Sequence, residues 1–182
     1  MIRQDGNTLP QDEVKALNLL NRIDMSRFEL ISHSPEQTQK FGVRIGELAL
    51  AGDIFLMVGA LGTGKTCLTQ GIAWGLNTKE YALSPSFVIV RELQGRLPLY
   101  HIDLYRLDHM EEIAELGLDD YLYSNSVCVV EWAGKGLSLL PTEHLLIQIR
   151  YLSDNERSFQ LKPSGKRYLE IATQLKDFSP NL

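Results

Sequence analysis

The chain has 182 residues, 44% hydrophobic and 23% charged, which fits one globular domain with a sizeable core. Its net charge of −5 argues against a dedicated nucleic-acid binder with a basic face, but leaves RNA contact made jointly with a partner open. Nothing resembles a signal peptide, and no apolar stretch approaches the roughly 20 residues that span a bilayer.

Residues 1–27 are polar apart from Ala16-Leu17-Asn18-Leu19-Leu20 and read as an N-terminal extension. A single domain is expected over 28–182. Ser34-Pro35-Glu36-Gln37 is a helix opening: Ser34 can cap, Pro35 suits the first helical position and Gln37 can close a capping box. Thr38, Phe41, Ile45 and Leu48 continue as a helical stripe, ended by Gly52. Ile54 to Val58 is a short apolar run, as expected of a strand buried on both faces.

Gly59 to Thr66 then read G-A-L-G-T-G-K-T, a complete Walker A phosphate loop. Such a loop surrounds a phosphate with backbone N–H groups and aims a helix N-terminus at it. Gly62, Thr63, Gly64, Lys65, Thr66 and Cys67 form the expected nucleotide-binding run. Lys65 supplies a cation near the β and γ phosphates of ATP, and the Thr66 hydroxyl can ligate Mg²⁺. Cys67 to Leu76 follows as a helix, with Leu68, Ile72 and Leu76 on one side.

Leu83-Ser84-Pro85-Ser86-Phe87 is a stiff polar turn. Phe87 to Leu93 and Leu97 to Asp103 read as a hairpin around Gln94-Gly95. Glu111 to Leu116 is a helical turn closed by Gly117, and Val127 to Glu131 is another buried strand. Leu145 to Tyr151 and the run to Lys162 alternate as a late hairpin. A final helix from Lys166 to Phe178 uses Leu169, Ala172 and Leu175. The fold class is α/β: a P-loop NTPase-like, mostly parallel central sheet with flanking helices and antiparallel hairpin additions. Cys67 and Cys128 lie far apart with no zinc or C-x-x-C spacing, and read as reduced thiols of a cytoplasmic protein.

A phosphate loop needs a strand-end carboxylate beside it. Asp103 and Glu131 both qualify. The Glu131 strand is the purer apolar run, hence the more central. Glu131 is therefore assigned to Mg²⁺ and Asp103 to the attacking water, against the plainer reading of solvent-facing or Arg-paired carboxylates. His101 reads as a packed strand histidine rather than a proton shuttle. Arg106 is an arginine-finger candidate or a partner for the Glu111–Glu115 helix.

The phosphate loop, Ser84-Pro85-Ser86-Phe87, Leu99 to Leu107 (L-Y-H-I-D-L-Y-R-L), Glu115 to Tyr121 (E-L-G-L-D-D-Y) and Val130-Glu131-Trp132 occur in one order. Together they closely resemble the bacterial TsaE (YjeE) family over about Ile31 to Tyr151. The resemblance implies an ATPase required for threonylcarbamoyladenosine on tRNA, acting with a TsaB–TsaD heterodimer and touching tRNA indirectly. It places Lys65 and Thr66 in the nucleotide loop, Thr66 and Glu131 on Mg²⁺, and Asp103 in hydrolysis. Ser86 lies in the phosphate-sensing loop, Thr38 near an N-terminal nucleotide contact, and Trp132 by the nucleotide or partner surface. The chain departs from the family at Ala60 (commonly Asp), Cys67 (Thr), Ser86 (Thr) and Ala133 (Pro). Ala60 removes a charge beside the loop. A small-molecule kinase and an ATP-binding switch with negligible hydrolysis are the competing readings; no N-K-x-D guanine-reading motif supports a GTPase.

Overall fold

A computed structural model describes residues 28–85 and 88–176. The N-terminal extension, Ser86, Phe87 and Phe178 lie outside the described residues. The strands are β1 (Glu29–Ser32), β2 (Ile54–Val58), β3 (Val90–Leu93), β4 (Leu99–Asp103), β5 (Val127–Glu131), β6 (His144–Tyr151) and β7 (Arg157–Ser164). The helices are α1 (Pro35–Leu48), α2 (Lys65–Gly75), α3 (Met110–Ala114), α4 (Asp119–Leu122) and α5 (Lys166–Lys176).

The strands form one seven-stranded sheet in the order β1-β7-β6-β2-β5-β4-β3. β6, β2, β5 and β4 run parallel, and β3, β7 and β1 add antiparallel edges. Both expected hairpins form, as β3–β4 and β6–β7. Every residue of β2 and of β5 is buried, because helical layers cover both faces. Phe55 and Met57 point to α1, α2 and α5; Ile54, Leu56 and Val58 point to α3, α4 and the turns after β5.

Ser34 caps α1 by accepting from Gln37 N (3.2 Å), with Pro35 in the first turn. The Gln37 side chain accepts from His33 N (2.8 Å), one residue before the cap. In α5 the buried side chains are Tyr168, Ile171, Ala172 and Leu175, a stripe of i, i+3, i+4 and i+7. Leu169, expected inside, is half exposed. Tyr168 takes the inward position and its hydroxyl accepts from Ile54 N (2.9 Å).

α1 and α2 cross in close contact through glycines on both helices. A Cβ at Gly71 would meet Gln39 O at 2.2 Å, and one at Gly75 would meet Val43 O at 2.2 Å. Gly42 and Gly46 face Leu68 O and Ile72 O in the same way. These contacts are to backbone, so no side chain can yield. Gly71→Ala is expected to destabilise the fold by about 3 kcal/mol, because the helices must separate. Urea unfolding midpoints at constant m-value check this.

Candidate functional site

Parallel β2, β5 and β4 end on the same edge of the sheet, where ligands collect in open α/β folds. The register pairs Met57 with Glu131 and Asp103 with Glu131. The chain leaving β2 turns at once into the phosphate loop, so the loop and both carboxylates share one rim. Gly62, Gly64, Lys65, Thr66, Asp103 and Glu131 line one cleft of about 410 Å³. Ser84, Arg106 and Trp132 stand on the same walls.

The loop needs left-handed backbone at Gly62 (φ 79°) and Gly64 (φ 96°), which glycine adopts without a Cβ clash. Gly64 begins α2 with no side-chain cap, so the first N–H groups of the helix are left for an anion. Lys65 is buried, and its Nζ donates to Gly59 O (2.6 Å) and Ala60 O (3.0 Å). It also lies 3.8 Å from the Trp132 ring centroid. Trp132 itself has φ 59°, a left-handed conformation that a bulky side chain rarely adopts, directly after Glu131. Its ring packs on Lys65 and Tyr105 (centroids 4.9 Å apart).

Thr66 Oγ1 donates to Glu131 Oε2 at 3.0 Å. The pair offers adjacent hard oxygen ligands at the start of α2, a donor set that suits Mg²⁺ bound with waters and substrate oxygens. No group of three or more His, Cys, Asp or Glu forms a metal cage among the described residues. Glu131 is 2% exposed, and its other oxygen, Oε1, faces His101 Nε2 (2.7 Å) and Thr69 Oγ1 (3.1 Å).

Asp103 is oriented from both sides: Ser84 Oγ donates to Oδ2 (2.6 Å) and Tyr105 N to Oδ1 (2.9 Å). The loop bearing Ser84 is tied to α2 where Ala82 N donates to the buried Gln70 Oε1 (2.6 Å). Thr38, Thr63 and Cys67 line a second, smaller cleft of about 100 Å³ that shares Gly64 with the first. The Thr38 hydroxyl is buried and bonded to Ser32 Oγ (2.7 Å). Both cysteines are free. Burial, with the nearby Glu36 carboxylate, raises the Cys67 thiol pKa; burial pushes Cys128 up to about 11.

Two participants are absent from the site that the sequence predicts. Arg157, at the start of β7, donates Nε to Thr63 O (3.1 Å) and Nη2 to Gly62 O (3.5 Å), holding the outer carbonyls of the phosphate loop. A trans peptide points its C=O and N–H oppositely, so this grip turns the Gly64 N–H away from Arg157. His101 reads from sequence as packing; in the fold it meets Glu131. A period-2 reading of β4, placing His101 on the face of Leu99 and Asp103, could have flagged it.

The family model for "Threonylcarbamoyl adenosine biosynthesis protein TsaE" matches residues 32–159. The tRNA threonylcarbamoyladenosine biosynthesis protein TsaE of Treponema pallidum is 38% identical over 127 residues, 70% of this chain and 94% of that protein. The TsaE of Bacillus subtilis is 39% identical over 143 residues, 78% of this chain and 89% of that protein. The crystal structure of Bacillus subtilis YdiB superposes with a TM-score of 0.71 at 36% identity, covering 81% of this chain and 92% of that one. With the phosphate loop and its two carboxylates on one rim of a P-loop NTPase-like sheet, and with relatives matched over most of their length, the chain belongs to the TsaE family of tRNA threonylcarbamoyladenosine biosynthesis proteins.

Proposed function

We propose that this chain binds ATP with Mg²⁺ in the larger cleft and hydrolyses it, in complex with a TsaB–TsaD-like heterodimer that modifies tRNA adenosine. The observation that carries this reading is the convergence of Lys65, Thr66, Asp103 and Glu131, from three separate segments, on one cleft. Gly62 to Cys67 hold the phosphates through backbone N–H groups, and Lys65 adds its charge. Thr66 and Glu131 hold Mg²⁺, which neutralises phosphate charge when bound. Asp103 accepts the proton of the attacking water as its oxygen bonds to the γ-phosphorus and ADP leaves. Thr38 and Cys67, in the smaller cleft, contact the nucleotide beyond its phosphates. Ser86 completes the phosphate-sensing loop that begins at Ser84, and Trp132 borders the nucleotide or partner surface. The place of action is the cytoplasm, where tRNA is modified. No helix among the described residues is long and apolar enough to cross a membrane.

Turnover by the chain alone is expected to be slow. Lys65 and Arg157 are both committed to carbonyls of the phosphate loop, and Arg106 stands on the cleft wall with an exposed side chain. A cation delivered by a partner stabilises transition-state charge and is worth about 10³-fold or more. Net charge −5 favours a basic partner surface. Phosphate release is measured for the chain alone, then with saturating TsaB–TsaD-like partners and tRNA. Fast turnover that partners leave unchanged shifts the reading to a free-standing ATPase; a phosphorylated acceptor shifts it to a kinase.

A further inference from the structure

We infer that His101 is a positioning residue that holds the Glu131 carboxylate in the orientation the metal site needs. The inference deepens the Mg²⁺–nucleotide reading and rests on it. A carboxylate that ligates with one oxygen must be kept from rotating, and a donor on the opposite oxygen does this. Glu131 Oε2 faces Thr66, on the cleft side. Oε1 faces inward, where His101 Nε2 lies 2.7 Å away at 0% exposure. Because the acceptor is a carboxylate, the ring proton of this bond sits on Nε2.

Thr69 also reaches Oε1, but its single hydroxyl hydrogen is shared with Lys65 O at the same distance, 3.1 Å, within its own helix. His101 has no competing acceptor among the described residues: within them its Nδ1 is buried without a hydrogen-bond partner. An imidazole buried with one nitrogen unpaired is costly as mere packing, since an apolar side chain would fill the same space without that penalty. The pairing is also cross-strand. His101 lies opposite Val129 on β5, and the strands fix the distance between its backbone and that of Glu131. The carboxylate is thereby held from a rigid neighbour rather than from a loop.

The test compares ADP affinity by calorimetry in Mg²⁺ and in EDTA, for the full chain and three variants, with folding checked by circular dichroism. The ratio of the two affinities reads the metal coupling. His101→Met removes the donor at similar bulk and is expected to cut that coupling about tenfold while affinity in EDTA stays within about twofold. His101→Gln keeps a side-chain N–H and is expected to retain the wild-type coupling within about threefold. Wild-type coupling in His101→Met, or equal loss in both variants, overturns the inference. If His101→Met does not fold, Thr69→Val decides: a change below about threefold leaves the clamp with His101, and a tenfold loss transfers it to Thr69. A wild-type chain that binds ADP with no response to Mg²⁺ fails the metal reading itself, and a chain that binds no ADP fails the nucleotide reading.

Discussion

Replacing Lys65 with alanine is expected to lower ATP affinity about tenfold and turnover about 10²-fold or more. Lys65 is 5% exposed, and its side chain is prepositioned by Gly59 O, Ala60 O and the Trp132 ring. A cation already fixed there needs little reorganisation as charge builds on the phosphates, which is where electrostatic catalysis gains most. Alanine removes the charge and also the Lys65 donor from Gly59 O and Ala60 O, the latter keeping the Thr63 hydroxyl at 2.9 Å. Part of any loss could therefore come from a disordered loop. Lys65→Arg separates the effects: it keeps a charge but cannot fit the same ammonium geometry, so binding is expected to recover more than turnover. Calorimetry with ADP and ATP, alongside phosphate release with partners present, reads both quantities. Wild-type affinity together with wild-type turnover in Lys65→Ala would remove the phosphate-loop assignment.

The parts of this site that the sequence made legible are those whose chemistry is local. The phosphate loop is one continuous segment with two obligatory glycine conformations, and the capped start of α1 is another. Both carboxylates could be found because each ends an apolar strand. In the fold Glu131 lies 3.0 Å from the Thr66 hydroxyl, while Asp103 instead bonds Ser84 and Tyr105. What stayed hidden depends on strand order. Nothing local says that β5 sits between β2 and β4, so the His101–Glu131 pair needs the sheet to be assembled first. Arg157 reaches the phosphate loop only because β7 folds back beside β6, after the loop sequence has long passed. The glycines of α1 and α2 look like weak helix residues singly; their use is the close crossing of two helices. Leu169 turns outward, with Tyr168 inward in its place, because only a defined helix start fixes which of several apolar residues faces the core.

Asp103→Asn is expected to keep nucleotide affinity within about threefold and to lower turnover by about 10²- to 10³-fold. The two carboxylate oxygens have different tasks. Oδ1 accepts from Tyr105 N, which fixes the turn after β4, and an amide oxygen can take over that bond. Oδ2 accepts from Ser84 Oγ at 2.6 Å, and an amide nitrogen there can donate to the same hydroxyl. The exchange is therefore nearly isosteric and leaves both hydrogen bonds possible, so the fold and the phosphate loop should survive it. What is lost is basicity. An amide cannot take the proton of an attacking water, and it presents a donor where that water needs an acceptor. Because Asp103 is separate from the Thr66–Glu131 pair, the Mg²⁺ requirement should not change, whereas Glu131→Gln should raise it. Calorimetry in Mg²⁺, a Mg²⁺ titration of turnover and single-turnover phosphate release together distinguish the two carboxylates. Loss of binding in Asp103→Asn, or a raised Mg²⁺ requirement there with a normal one in Glu131→Gln, would exchange their roles and place the metal on β4.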